Sequence, residues 1–475
     1  MSAALAPRAF EEEREGTRRW AALALVCFGA LMIVLDGTIV NIALPSIQRD
    51  LGFTQSGLAW VVNAYVLTFG GFLLLGGRAA DLIGRRAVFI AGLAIFTSAS
   101  LVCGFASAQW VLVAARAVQG VGGAIVQAVA FSLILELFRE PGERAKAMSV
   151  WGFVSSAGGA VGVVLGGVLT QVGDWHLIFL LNVPIGIVAI ALARPLLPAV
   201  AGLGLDNGVD VGGALTITAA PIVAVYGILK ASELGWTSPL VIAALALALL
   251  LLGAFVAIER RARAPIVPLR IFRSPAISIS QVVIVAMMVA FFGWFFFSPL
   301  YMQRVLGFDA LQTGLGFLPA MLVFAAMSLG ISAKIVGRSG PKPALLAGMS
   351  LAVVGLGLLA RTPVAGSYAV DLAPAMFLIA IGGGLGFLPL ILIATSEARP
   401  EDSGLVSGLV STSQMVGGAI GLAVLVTIAA AVSAGAADAA GLNEGYHAAF
   451  GVGAALAAAG VALATRLPHG GGRGR

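Results

Sequence analysis

The chain is 475 residues long, with 28 Lys plus Arg and 22 Asp plus Glu making up only 11% of it, against a hydrophobic share of 60%. A soluble chain carries about 25% charged residues, and one with this little charge cannot cover its surface, so a water-soluble enzyme, a disordered chain and a secreted disulfide scaffold are excluded together. The formal net charge of +6 fits basic loops beside anionic lipid and needs no nucleic-acid partner.

A helix that crosses a bilayer needs about 20 apolar residues, and fourteen such windows follow one another with short connections. The first seven cover 20–44, 56–77, 87–107, 111–137, 148–172, 177–193 and 211–229. The second seven cover 239–258, 275–302, 313–333, 343–360, 372–396, 403–433 and 446–465. The runs are continuous rather than alternating, which selects helices over a barrel and predicts an all-α polytopic membrane protein. Only Asp36, Arg116 and Glu136 are charged inside the windows.

Loop charge sets the expected orientation. With the N-terminus in the cytoplasm, Arg78, Arg85, Arg86, Arg139, Arg144, Lys146, Arg194, the basic group between Arg260 and Arg273, Lys334, Arg338, Lys342, Arg399, Arg466, Arg473 and Arg475 all fall on that side. Only Arg49, Lys230, Arg304 and Arg361 fall outside, so both termini are expected in the cytoplasm of a plasma (bacterial inner) membrane. No cleaved signal peptide is expected, because the first apolar run is too long for an h-region and carries Asp36. Cys27 should lie near the inner face and Cys103 near the outer one, with no bridge between them.

Several chemistries lack their residues. None of the four lysines follows a glycine, so no P-loop is expected. His176, His447 and His469 all fall at or beyond window edges, where they cannot build a zinc or haem site between helices; no cofactor and no metal is expected. Gly355-Leu-Gly357-Leu-Leu-Ala360 has the letters of a nucleotide fingerprint but lies inside an apolar span with no strand before it, and reads as close helix packing.

Two charges at similar depth stand out instead. Asp36 comes sixteen residues after Trp20, about 24 Å of helix rise, and Arg116 is close behind the outer start of the fourth window. A charge at the bilayer centre costs roughly 2.5 to 3.5 kcal/mol on an insertion scale, so the two are expected to pair, or to exchange partners, across one cavity. Glu136, one turn from Arg139, reads as a solvated end residue. Arg116, Gly120, Gly123 and Gln127 share one helical face, where Gln127 either meets a ligand or simply packs.

The residues around these charges carry motifs. Leu35-Asp36-Gly37-Thr38-Ile39-Val40-Asn41-Ile42-Ala43-Leu44-Pro45 resembles the first-span signature of the fourteen-spanner drug:proton antiporters of the major facilitator superfamily, the QacA and EmrB type. Gly77, Asp81, Gly84, Arg85 and Arg86 resemble its motif A; Arg116, Gln119, Gly120 and Gly122 its motif B; Trp175, Phe179, Asn182, Pro184 and Gly186 its sixth-span signature. Tyr301-Met-Gln303, and Gly404-Leu-Val-Ser407-Gly408 after Glu401-Asp402, extend the resemblance into the second half. Two departures stand: Gly158, Gly162, Gly166 and Gly167 keep the glycines of motif C but Val163 replaces its proline, and motif A has Ala79 and Leu82 where the family has Leu and a basic residue.

The resemblance implies a major facilitator fold: a cytoplasmic lead (1–19), a six-helix bundle (20–193), an inserted two-helix hairpin with its flanking loops (194–274), a second six-helix bundle (275–466) and a cytoplasmic tail (467–475). A loose repeat of motif A over Ala333–Lys342 supports two related bundles. The first, fourth, ninth and twelfth spans are then expected to line a central cavity, with Met32, Asn41, Asn63, Gln127, Phe291, Trp294 and Phe295 as substrate-contact candidates. One carboxylate in an apolar cavity favours lipophilic neutral or cationic molecules.

The implied activity is export of such drugs by alternating access, with Asp36 and Arg116 as the proton-coupling site and a single chain working in the bilayer as a monomer. Asp81 is expected to latch the two halves at the cytoplasmic face against the start of the thirteenth span near Ser403, with Arg85 and Arg86 in the same cluster. The alternatives are a related carrier of a lipid, a siderophore or one natural product, and a non-transporting receptor or scaffold on the same fold. An enzyme is disfavoured, since no nucleophile, base or metal cluster converges in the sequence.

Overall fold

The computed structural model describes residues 5–138, 140–199, 202, 204, 211–262, 265–397, 403–433 and 438–468. Arg139, Arg399, Glu401, Asp402, His469, Arg473 and Arg475, to which the sequence reading gave places, lie outside them. Among the described residues, 14 helices are long and apolar enough to cross a membrane. They are α1 (Leu5–Leu51), α2 (Gln55–Ile83), α3 (Arg85–Cys103), α4 (Gln109–Leu137), α5 (Pro141–Val172), α6 (His176–Leu196) and α7 (Val211–Leu234). The rest are α8 (Pro239–Arg261), α9 (Pro275–Arg304), α10 (Ala310–Ser339), α11 (Pro341–Leu359), α12 (Tyr368–Ser396), α13 (Ser403–Ser433) and α14 (Ala439–Ala464).

The helices outrun the apolar windows because backbone hydrogen bonding continues past the hydrocarbon edge. Their starts carry local signals. Thr54 caps α2 by accepting from Gly57 N. Ser274 caps α9, with Pro275 in its first turn, and Asp309 with Gln312 forms a capping box at α10. Helix α10 bends at a π-helical turn, Met327–Ile331, where Gly330 leaves helical angles.

Two six-helix bundles result, α1–α6 and α9–α14, with the α7–α8 hairpin between them. The bundles meet chiefly along α2 with α13 and α5 with α10, and α1 touches both α9 and α10. Helix α7 packs on α2 and α13, while α8 packs on α7 and turns Leu249 and Leu250 outward at 70% and 69% exposure, as lipid contact requires. One end of the molecule carries Arg78, Arg85, Arg86, Arg194, Arg260 and Arg261 and is called the basic face below.

The internal repeat has a structural counterpart. Gly84 (φ +114°) separates α2 from α3, and Gly340 (φ +84°) separates α10 from α11. Both backbones favour glycine. Two residues further on, Arg86 Nη1 donates to the carbonyl of Arg194 at the end of α6 (3.5 Å), and Lys342 Nζ donates to that of Thr465 at the end of α14 (2.6 Å). Each bundle therefore closes its sixth helix with a cation from its second loop.

Candidate functional site

Asp36 on α1 and Arg116 on α4 form an ion pair, Nη1 to Oδ2 at 2.5 Å, with both side chains at most 2% exposed. Neutral amides complete the shell. Gln119 Nε2 donates to Asp36 Oδ1 at 2.8 Å, and Gln119 Oε1 accepts from Arg116 Nη1 at 2.8 Å. Asn182 Nδ2 on α6 donates to Asp36 Oδ1 at 3.3 Å and to Ser100 Oγ at 3.1 Å. Ser100 Oγ in turn donates to the carbonyl of Phe179 at 2.9 Å. Arg116 Nε donates to the carbonyl of Val61 at 3.0 Å, and its guanidinium lies 4.3 Å from the centroid of the Tyr65 ring. Burial of a charge is tolerated when it is paired and hydrogen-bonded, and here both carboxylate oxygens and the Nη1 and Nε donors of the guanidinium have partners inside an otherwise apolar bundle.

A cavity of about 300 Å³ lies between the bundles. Its N-terminal wall includes Gly37, Thr38 and Asn41 of α1, Tyr65 and Phe69 of α2, and Arg116 of α4. Its C-terminal wall includes Phe291, Phe292, Phe295 and Phe296 of α9, Phe387 of α12, and Gln414 and Met415 of α13. Phe291 anchors the aromatic array, edge-on to Trp294 (5.7 Å) and to Phe387 (5.4 Å). Asp36 is absent from the wall: it is 1% exposed, behind Arg116. Arg116, not Asp36, lines the cavity.

The candidates from sequence separate accordingly. Asn41, Phe291 and Phe295 stand in the wall; Met32, Asn63, Gln127 and Trp294 do not. Met32 and Trp294 are fully buried among apolar neighbours. Asn63 is fully buried with no hydrogen-bond partner for either amide atom. It shares the α2 face of Gly70 and Leu74, which meets Met415 and Gly408 of α13. Gln127 is half-buried, off the cavity. The glycines before it bring α4 close to α2: a Cβ on Gly120 would stand 2.3 Å from the Tyr65 carbonyl oxygen, and one on Gly123 3.0 Å from the Tyr65 hydroxyl. That face of α4 is a packing surface.

Motif A lies at the basic face. Arg85 pairs with Glu136 Oε2 at 2.7 Å and with Asp81 Oδ1 at 3.6 Å. Glu136 is therefore engaged with α3 at 14% side-chain exposure, rather than a solvated end residue. Asp81 is half-exposed, and residues 398–402, ahead of α13, lie outside the described ones. A Cβ on Gly77 would meet only Ala128 at 3.9 Å; its neighbour Gly76 is the closer packer, at 3.1 Å from Ile125 Cα.

The glycines of motif C face two helices. Cβ atoms on Gly158, Gly162 and Gly166 would stand 2.8 Å from Leu31, 2.0 Å from Thr38 Oγ1 and 2.9 Å from the Ile39 carbonyl oxygen, all on α1. One on Gly167 would stand 2.7 Å from the Ala310 carbonyl oxygen of α10 in the other bundle. Val163, in place of the proline, leaves α5 one continuous helix, and its carbonyl oxygen would be 2.5 Å from a Cβ on Gly314 of α10. This stripe thus sits at a joint between the bundles.

A family model for the Major Facilitator Superfamily matches residues 26–422. The chain belongs to the Major Facilitator Superfamily. It is 40% identical over 414 residues to a puromycin resistance protein of Streptomyces alboniger, covering 86% of this chain and 82% of that one. It is 39% identical over 420 residues to a cephamycin export protein of Amycolatopsis lactamdurans, covering 87% and 86%. In fold it resembles an auto-inhibited POT family peptide transporter, with a TM-score of 0.67 at 17% identity over 96% of this chain and 98% of that one.

Within this superfamily chain, the site holds residues that sequence reasoning left out as functional: Gln119, Asn182, Ser100 and Tyr65 around the ion pair, and Phe292, Phe296, Phe387 and Gln414 in the cavity. A signal existed for the first two. Each is an amide inside an apolar run, in a motif already quoted, and an amide there needs a polar partner. Nothing local distinguishes the phenylalanines of the wall from those facing other helices.

Proposed function

We propose that this chain exports lipophilic small molecules, antibiotics among them, by proton-coupled alternating access across the bacterial inner membrane, with the basic face and both termini in the cytoplasm. The observation that carries the reading is the buried Asp36–Arg116 pair, whose arginine lines an aromatic cavity between two bundles. The names of its relatives, a puromycin resistance protein and a cephamycin export protein, support a small-molecule antibiotic as cargo. The cavity is complete within one chain, which supports a monomer as the working unit.

With the cavity open to the outside, Asp36 takes a proton. Its attraction to Arg116 falls, and the guanidinium becomes an unpaired charge at the edge of an apolar cavity, which disfavours a bound lipophile. With the cavity open inward, Asp36 releases the proton and recaptures Arg116, and the wall is again neutral overall and receptive. Proton and cargo therefore exclude each other through one arginine, which is the linkage an antiporter needs. Asp81, with Arg85 and Arg86, holds the basic-face gate through the start of α13.

The test is Asp36→Asn in inverted vesicles, with drug uptake measured against an imposed pH gradient. Uptake should lose its dependence on the gradient while the protein still inserts and elutes as a single species. Wild-type, gradient-driven uptake in that variant would overturn the coupling assignment. The second reading, a carrier dedicated to one natural product, is favoured by the modest cavity of about 300 Å³; it predicts uptake of one compound class alone from a panel of unrelated drugs.

A further inference from the structure

We propose that the cavity selects an uncharged aromatic lipophile bearing a hydrogen-bond acceptor and discriminates against permanent cations. This rests on the transport reading above and names the cargo class for the same cavity. A cation binds an apolar pocket well when a carboxylate faces it. Here the carboxylate is withdrawn: Asp36 Oδ2 is taken by Arg116, Oδ1 by Gln119 and Asn182, and Asp36 is not among the residues lining the cavity. The one charged side chain lining the cavity is Arg116.

Arg116 also has a donor to spare. Nη1 serves Asp36 and Gln119 and Nε serves the Val61 carbonyl, while Nη2 donates no hydrogen bond among the described residues. A carbonyl or ether oxygen entering the cavity can accept from it; an ammonium is repelled by it, and the Asp36 charge behind offsets only part of that repulsion. The one tyrosine ring in this wall already holds a cation, since the Arg116 guanidinium lies 4.3 Å from the Tyr65 ring centroid. Across the cavity Gln414 is half-buried with no hydrogen bond among the described residues, so the second bundle adds one neutral amide. Phe291, Phe295 and Phe387 supply faces and edges against which an aryl group can stack.

The experiment uses purified full-length protein in detergent with the neutral fluorophore N-phenyl-1-naphthylamine as probe. Two matched competitors displace it: biphenyl-4-carboxamide and (biphenyl-4-yl)trimethylammonium. The carboxamide is expected to compete at least ten-fold more strongly. Gln414→Glu, or Asn41→Asp should the first fail to fold, sets a carboxylate in the wall and is expected to narrow or reverse that ratio. Equal or stronger competition by the ammonium in the unaltered protein would overturn the cargo class while leaving the cavity as a binding site. Absence of displaceable probe binding, together with no uptake of either biphenyl into inverted vesicles, would instead overturn the transport reading of the cavity.

Discussion

Gln119 donates its amide proton to Asp36 Oδ1 at 2.8 Å, so the carboxylate keeps a neutral donor when its arginine moves. The same amide accepts from Arg116 Nη1 through Oε1 and therefore holds the guanidinium when the carboxylate is protonated. Gln119→Leu removes both services and leaves buried polar groups short of partners, a cost of roughly 1–3 kcal/mol. A lower melting temperature in detergent and an efflux rate reduced at least ten-fold are expected. Unchanged efflux would mean that the pair works without its bridge.

The ends of α1 and α9 away from the basic face are joined by side chains. Gln303 Nε2 donates to the Ile42 carbonyl at 2.9 Å, and Arg304 donates to Gln48 Oε1. At about 1 kcal/mol each, the two bonds together bias a two-state equilibrium by roughly 30-fold. In a Gln303→Leu, Arg304→Ala double variant, a cysteine at the cavity position of Asn41 should react several-fold faster with a membrane-impermeant maleimide applied from that side. An unaltered labelling rate would show that these bonds are not a latch.

Gly162 and Gly159 make a matched pair on α5. A Cβ on Gly162 would stand 2.0 Å from Thr38 Oγ1, whereas one on Gly159 would meet nothing within 4 Å. Gly162→Ala should destabilise by about 1–3 kcal/mol through overpacking of α1 on α5, and Gly159→Ala should be neutral or slightly stabilising. Adding Thr38→Ala to Gly162→Ala should recover part of the loss. Thermal melts of the variants decide it, and equal melting of the two single variants would refute close α1–α5 packing.

Lys342 and Arg86 occupy equivalent places with unequal contacts. The Lys342 ammonium is within 2.6 Å of the Thr465 carbonyl oxygen and the residue is 9% exposed, while Arg86 reaches the Arg194 carbonyl oxygen only at 3.5 Å in an exposed setting. Lys342→Met should cost about 1.5–3 kcal/mol, the range of charged hydrogen bonds; Arg86→Met should change melting little. A larger effect at Arg86 would reverse the assignment.

Much of the fold was legible because the bilayer imposes length and polarity on every span: the fourteen apolar windows correspond to the fourteen helices, extended at their ends. The Asp36–Arg116 pair followed from depth alone, since each charge is expensive without the other. What local pattern could not supply was the relative placement of the bundles. That placement decides that α2 and α13 join the cavity wall, that Trp294 turns away while Phe292 faces in, and that Asp36 lies behind Arg116. Asn63 and Gln127 read as ligand contacts in the sequence, yet neither lines the cavity.

The hairpin has a mechanical consequence. Thr427 on α13 donates to the Ile228 carbonyl of α7, while Ser56 on α2 donates to Glu233 of the same hairpin, and Gly71 of α2 abuts Thr218. Helix α7 is thus fastened to both bundles on one flank, whereas the opposite flank, where α5 meets α10, has no such strap among the described residues. Bundles that rock against each other, as the proposed alternating access requires, would shear α2 past α13, so that one fastening would slip while the other carried the hairpin along. Under the alternating-access proposal the hairpin would act as a clutch, with the grip of Thr427 and Ser56 opposing that shear.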